Sequence, residues 1–418
     1  MFKRLAPRLL NVALRALAMG SRFALIIVLA KLIEPVDLGL LGLVLSTIAF
    51  GVLVIGGDYY TYSQRELLAL PKERWSFVLQ HQAIAISILY ITLMPALLLL
   101  FSMQLLPIHL VFWFYILLIL EHVAQEINRL LVAMQRLLLA SCILFLRMGA
   151  WVWVLLMIMW LNPEARTLET TFQAWAIGVA IAIIAGLRGI HNEVKPWRTW
   201  PLDRAWLTRG FKTGLLFLLA TLSFKALTTI DRFIFQHING PEMLGVYVLY
   251  AGMAMAIINF MDAAVFSFLY PRLIIAHTQG DDVMYTRIYK EMIWSTIVVA
   301  VGLAIMIALI APHILHWNGR QIYNEHLSLL WLLLIASVIY NISTLPHFGL
   351  YAKKNDQIIL AAHISALIIF IGTIVATTTW NPLHTVPLAL IVAFTWIGCF
   401  KLYFYVNRPW NKQNVSTT

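Results

Sequence analysis

The chain has 418 residues, of which 61% are hydrophobic and only 12% are Asp, Glu, Lys or Arg, with a mean hydropathy of +0.83. Soluble domains carry about 25% charged residues, and half that share cannot cover a globule of this size with polar surface. A soluble enzyme, a disordered tail and a fibrous repeat are excluded; the net charge of +11 reads as loop bias in a membrane protein, with no nucleic-acid partner expected.

Twelve apolar stretches follow one another, near 11–33, 38–60, 79–101, 107–133, 137–161, 168–190, 212–236, 243–270, 288–312, 325–350, 356–379 and 384–406. Each holds about the 20 apolar residues that a bilayer span requires. Such long runs exclude a β-barrel, whose strands alternate over about 10 residues. The expected fold is all-α and integral to the membrane, with twelve transmembrane helices in two six-helix bundles.

The opening Met1-Phe2-Lys3-Arg4 is similar to a signal peptide. However, the apolar run continues to Ile33, contains Arg15 and Arg22 and offers no small-residue cleavage site, so it reads as a retained first span. With the N-terminus in the cytoplasm, 22 of the 30 Lys and Arg residues fall in inner segments. Among these are Lys3, Arg4, Arg8, Arg65, Arg129, Lys195, Lys354, Lys401, Arg408 and Lys412. The outer segments hold only Lys31, Arg166 and Arg320, which supports an even span count and both termini cytoplasmic.

The chain divides into bundles at 1–190 and 212–418, joined by a polar segment at 191–211. That segment carries Trp197, Trp200 and Trp206 among Lys195, Arg198, Arg204 and Arg209. The mix suits a cytoplasmic segment lying on the membrane surface, with indoles at the headgroups and cations toward anionic lipid. Pro35-Val36-Asp37-Leu38-Gly39 after the first span and Pro241-Glu242-Met243-Leu244-Gly245 after the seventh share the pattern Pro-x-x-Leu-Gly. Six spans per half make these parallel repeats.

Charged residues inside spans cost about 2.5–3.5 kcal/mol each at the bilayer centre and face partners or watery cavities. In span one, Asn11, Arg15, Ala18 and Arg22 are spaced 4, 3, 4 and share one helical face. In span seven, Thr221, Lys225, Thr228 and Arg232 repeat that spacing. Arg15, Arg22, Lys225 and Arg232 are therefore the candidate substrate-binding residues, and the forked guanidinium suits a phosphate or pyrophosphate. Arg15 also lies close enough to the inner boundary to snorkel. Glu121 in span four and Arg147 in span five sit at similar depth and read as an ion pair, with ion coupling at Glu121 as the alternative. Asp231 beside Arg232 is open to the same two readings. Asp58 and Asp262 read as hydrated residues at span ends, and His81, His313, His316 and His326 as solvated.

Cys142 and Cys399 lie inside apolar runs, which argues against a disulfide framework or a cysteine metal site. No phosphate-cradling GxxxxGK[ST] loop, HExxH or GxSxG is present, so neither ATP hydrolysis nor a catalytic residue is expected. No cofactor or metal is expected either.

Leu29-Ala30-Lys31-Leu32-Ile33-Glu34-Pro35-Val36-Asp37-Leu38-Gly39-Leu40-Leu41, with Gly56-Gly57-Asp58 later, resembles the opening of bacterial polysaccharide transporters. Ile230-Asp231-Arg232-Phe233 followed by Pro241-x-x-Leu244-Gly245-x-Tyr247 is similar to their second half, and so is Asn128-Arg129-Leu130-Leu131-Val132-Ala133-Met134-Gln135-Arg136 to their middle. These are the O-antigen flippases of the multidrug/oligosaccharidyl-lipid/polysaccharide (MOP) exporter superfamily. The resemblance implies a MATE-like fold and translocation of undecaprenyl-pyrophosphate-linked oligosaccharide across the bacterial inner membrane. It implies alternating access around a cationic cavity, in which Arg22, Lys225 and Arg232 meet the pyrophosphate. Polysaccharide polymerase and chain-length proteins are the implied partners, beside the lipid bilayer. A drug or metabolite exporter of the same architecture is the alternative, although basic residues outnumber acidic ones within the spans. A membrane polysaccharide polymerase or ligase is disfavoured by outer loops of only about a dozen residues.

Overall fold

The computed structural model of the protein describes residues 2–194, 196–353 and 355–407; the side chains of residues 2–9, 192, 216, 217 and 220 are not among them. Lys195, Lys354, Arg408 and Lys412 lie outside the described residues, as do the side chains of Lys3, Arg4 and Arg8. The described elements are helices, and eleven of them are long and apolar enough to cross a membrane. The stretch expected as the seventh span lies in one further helix of 36 residues, Arg204–Asn239, whose hydropathy is interrupted by Arg209, Lys212, Lys225, Asp231 and Arg232. At 1.5 Å per residue, its length of about 54 Å exceeds a bilayer's hydrocarbon. Large apolar side chains face outward, with Ile91 76% and Trp294 69% exposed, as a lipid-solvated surface requires.

The chain forms two compact units, Met1–Lys225 and Ala226–Thr418. The first contains α1 (Phe2–Leu32), α2 (Pro35–Gly56), the short α3 (Tyr60–Ala69), α4 (Trp75–Leu93) and α5 (Val111–Ala133). It continues with α6 (Leu137–Phe145), α7 (Trp151–Leu161) and α8 (Leu168–Val194), and ends within α9 (Arg204–Asn239). The second unit contains α10 (Pro241–Met261), α11 (Ser267–Thr278), α12 (Asp282–Asn318), α13 (Leu327–Ala352), α14 (Asp356–Thr377) and α15 (Pro382–Asn407). Helices α6 and α7 are joined by one wider π-helical turn at Leu146–Ala150, and α10 and α11 by another at Asp262–Phe266.

The two Pro-x-x-Leu-Gly motifs do the same local work. Pro35 and Pro241 occupy the first turns of α2 and α10, where a missing N–H costs nothing and the fixed φ favours helix. The fourth motif residues, Leu38 and Leu244, are 0% and 1% exposed.

The segment before α9 is held by α4. Its backbone docks onto α4: Trp200 N–H donates to Gln80 Oε1 at 2.9 Å, and Gln80 Nε2 donates to the Trp200 carbonyl at 2.7 Å. Trp200 Nε1 donates to Ser76 Oγ at 2.9 Å, and Asp203 N–H to His81 Nε2 at 2.9 Å. Asp203 then caps α9 by accepting from Trp206 N–H at 2.8 Å. Trp206 is 2% exposed among Tyr59, Tyr62, Phe77 and His81. Unpaired backbone groups are costly next to hydrocarbon, and side chains of α4 satisfy them here. Trp197 is 51% exposed. His81, expected to be solvated, is fully buried as part of this dock.

Glycine permits the start of α9 to approach the end of α2. Gly57 closes α2 at φ 56°, a left-handed cap whose N–H donates to Leu53 O at 3.0 Å. A methyl group at Gly214 would collide with the Gly57 carbonyl oxygen, and one at Gly210 with the Tyr59 ring. Gly214→Ala is expected to destabilise by about 1–3 kcal/mol through overpacking, read as a lower thermal midpoint of the detergent-solubilised protein. Gly302→Ala, where nothing lies within 4 Å of the added atom, should leave the midpoint unchanged or raise it.

Candidate functional site

The candidate site is built from polar residues that an apolar helix bundle can hold only if they are paired. Glu121 lies in the middle of α5 and is 3% exposed. Arg147 comes from the π-helical turn between α6 and α7. Its Nε donates to Glu121 Oε2 at 2.5 Å, and its Nη2 to Gln125 Oε1 at 3.2 Å. Trp175 of α8 donates Nε1 to Glu121 Oε1 at 2.6 Å. Both carboxylate oxygens are thus occupied by short bonds, one of them from a charged donor.

Arg22 of α1 approaches the same carboxylate, with Nη2 3.8 Å from Oε1. That is ion-pair distance but too long for a hydrogen bond. Its side chain is 34% exposed, while its Nε is buried and has no hydrogen-bond partner among the described residues. One carboxylate therefore serves two guanidinium groups and is committed to Arg147. The trio carries one positive charge in excess, concentrated on Arg22.

The contact of α1 with the π turn holds these groups in register. Ser21 is fully buried and accepts from Trp153 Nε1 at 2.9 Å. A methyl group at Gly149 would lie 3.0 Å from Ser21 Oγ and 2.8 Å from the Phe145 ring. About two helical turns toward the N-terminus, Arg15 Nε donates to Ser141 Oγ of α6 at 3.1 Å, and Ser141 donates in turn to Asn11. Asn11, Arg15 and Arg22 thus use one face of α1, with Ala18 buried between them at 1% exposure. Arg15 itself is largely exposed.

A second group of polar residues continues along α5. Glu126 accepts from Gln82 Nε2 at 2.7 Å and from Arg129 Nη1 at 2.6 Å, and Arg129 stacks 3.5 Å over the Tyr60 ring. His122 is fully buried, with Nδ1 2.7 Å from the Tyr90 hydroxyl. Asp58 is 4% exposed rather than hydrated. Burial pushes its carboxyl up from the ordinary value, while a hydrogen bond from Thr221 and the charge of Arg129 pull it down.

In the second unit, α9 departs from helical geometry at Thr228. Arg232 Nη1 donates to the Thr228 carbonyl at 2.6 Å and to Asp231 Oδ1 at 3.2 Å. Asp231 also accepts from Tyr247 of α10 at 2.7 Å. Arg232 and Asp231 are thus mutually satisfied within their own network, unlike Arg22. Lys225, at the end of the first unit, is half-buried.

Sequence reasoning did not identify the contributions of Trp175, Gln82, Glu126 and His122, nor a Lys401–His347–His363 cluster. Lys401 was grouped with the cytoplasmic cations; it is instead 2% exposed within α15. The available signal was that each of these groups interrupts an otherwise apolar run. No cluster of His, Cys, Asp and Glu able to hold a metal occurs among the described residues.

No protein-family profile matches the chain, and no curated protein matches it in sequence. Solved structures do match. A MATE crystallised in complex with MaL6 superposes with a TM-score of 0.66 at 14% identity, over 98% of this chain and 96% of that one. The outward-facing form of a multidrug resistance MATE family transporter of the MOP superfamily gives 0.66 at 15% identity, over 98% and 96%. The fold is that of the MATE transporters. A MOP superfamily transporter from Pyrococcus furiosus Vc1 (DSM3638), described as having a binding pocket of reverse polarity that suggests a different function, gives 0.55 at 13% identity, over 98% and 94%. The chain is thus a multi-pass membrane protein with a MATE fold.

Within this MATE fold, removing the shared carboxylate should be more harmful than removing the whole pair. Glu121→Ala leaves Arg147 buried without a counter-charge and is expected to destabilise by about 3–5 kcal/mol. The double variant Glu121→Leu, Arg147→Met should lose much less. Thermal midpoints of the four proteins in a double-mutant cycle check this directly.

Proposed function

We propose that the chain is a flippase. Its substrate is an undecaprenyl-pyrophosphate-linked oligosaccharide, such as an O-antigen repeat unit, moved across the bacterial inner membrane by alternating access. The observation that carries this reading is the excess positive charge on Arg22, whose buried Nε has no hydrogen-bond partner beside a carboxylate already committed to Arg147. An unneutralised guanidinium at membrane depth is expensive. An anion that offers paired oxygens, as a pyrophosphate does, balances it and fits its forked geometry.

A drug exporter of cations requires the opposite polarity. The buried carboxylates Glu121 and Glu126 each hold an arginine already, which leaves them poor sites for an organic cation. The reverse-polarity pocket described for the Pyrococcus furiosus transporter is consistent with a MOP fold serving an anionic substrate. Arg15, Lys225 and Arg232 are assigned to the same substrate. Arg15 serves near the inner end of α1, and Arg232 serves once its bond to Asp231 is exchanged for the phosphate.

Expression in a strain that depends on this chain for surface polysaccharide tests the proposal. Arg22→Ala should abolish the polymer at unchanged membrane protein level, and Arg22→Lys should retain part of it. If Arg22, Lys225 and Arg232 can all become Ala without loss of polymer, the reading fails. Resistance to a cationic dye conferred by the unaltered chain would favour the drug-exporter reading instead.

A further inference from the structure

Helices α13, α14 and α15 pack closely together in the second unit. Between them lies Lys401, 2% exposed on α15. Its Nζ is 2.9 Å from Nε2 of His363 on α14 and 3.2 Å from Nδ1 of His347 on α13. The two imidazoles lie nearly parallel, with ring centroids 6.2 Å apart at 13°, so the amine sits between their edges. His363 is itself 7% exposed. Three titratable nitrogen bases are thus in hydrogen-bond contact at the centre of a helix trio, and no acidic side chain of the described residues forms an ion pair with Lys401.

The surrounding groups are neutral or distant. On α13, Tyr351 stacks on His347 at 6.4 Å, and Tyr270 of α11 reaches the Tyr351 ring at 5.7 Å. On α14, Asp356 lies seven residues before His363, about 10 Å along the helix axis. On α15, Tyr405 follows Lys401 by one turn and carries the Lys353 ammonium 4.2 Å over its ring. The helices packed most closely against α15 are α13 and α14.

From this geometry we propose that Lys401, His347 and His363 form a binding site for one proton, loaded and emptied during the working cycle. Two protons on these three bases would place like charges within hydrogen-bond distance in hydrocarbon, so the cluster holds at most one. When loaded, the Lys401 ammonium donates to His347 Nδ1 and His363 Nε2, each imidazole carrying its own proton on the other nitrogen. To unload, Nζ–H transfers to His363 Nε2, leaving a neutral amine and an imidazolium. The imidazolium then passes its Nδ1 proton to water admitted during the working cycle, since Nδ1 is enclosed in this conformation, and the neutral imidazole is left with its tautomers exchanged. Charge is conserved at each transfer, and water as the final proton acceptor is the one further reactant. His363 cannot be replaced by a carboxamide without losing this route, because a carboxamide accepts a hydrogen bond but does not carry the proton.

The purified full-length protein in phosphatidylethanolamine/phosphatidylglycerol liposomes, adsorbed on a solid-supported membrane, tests the site. A jump from about pH 8 to about pH 6, the range in which histidine clusters load, should give a transient charge displacement. Lys401→Arg keeps a fixed charge and should lose at least four-fifths of that transient. His363→Gln with His347→Gln should lose as much, and it provides the readout if Lys401→Arg is recovered only as aggregate. Gly302→Ala, at a position with open space around the added methyl group, should keep the full transient. A Lys401→Arg or double-Gln protein that is monodisperse and gives the full transient overturns the proposal, as does a wild-type protein that gives none. No oligosaccharide enters the measurement, so its outcome is separate from that of the substrate reading.

Discussion

A carboxylate cannot stand alone in hydrocarbon, and the first unit is arranged around that constraint at Glu121. Between membrane helices, Leu against Leu is no better than Leu against lipid, so apolar packing alone leaves helices free to slide and rotate. The bonds at Glu121 remove that freedom. They tie α5 to the π turn through Arg147 and to α8 through Trp175, and they draw in α1 through Arg22. Moving any one of these helices by a single residue would expose a buried charge. The wider turn at Leu146–Ala150 is where Arg147 leaves the helix surface, in keeping with the association of such turns with functional sites.

The two halves begin from the same arrangement and use it differently. Span one and span seven both carry polar residues spaced 4, 3, 4, with basic side chains at the second and fourth positions. In the first half, the carboxylate near Arg22 comes from a distant helix and is shared with a stronger competitor. In the second, the partner of Arg232 is its immediate neighbour, Asp231, held in place by Tyr247. A charge satisfied by its neighbour makes few demands on the rest of the unit. A charge that must share a remote partner is coupled to three other helices, so changes at Arg22 propagate further.

Much of this was legible in the sequence. Hydropathy located the spans because the bilayer imposes a fixed length on them. The 4, 3, 4 spacing placed Arg15 and Arg22 on one face because helical periodicity is nearly rigid. The closeness of Glu121 and Arg147 followed from their depths in consecutive antiparallel spans. What escaped depends on rotation about the helix axis, which a highly apolar span does not encode. Nothing in the runs around His347, His363 and Lys401 indicates that three helices turn these residues toward one another. The docking of the linker escaped for a related reason. Its tryptophans and cations are the composition of an interfacial segment, but Gln80, Ser76 and His81 on α4 offer its backbone the hydrogen bonds that water would otherwise supply.

That docking makes the connection between the halves an unsuitable place for grafts. A fluorescent reporter spliced in between residues 198 and 203 would pull away the backbone that Gln80 and His81 grip and strip α9 of its Asp203 cap. The bend at Gly280, with φ 70° and open space around it, is a more permissive insertion point, because the chain there is held by its own turn and not by a neighbour.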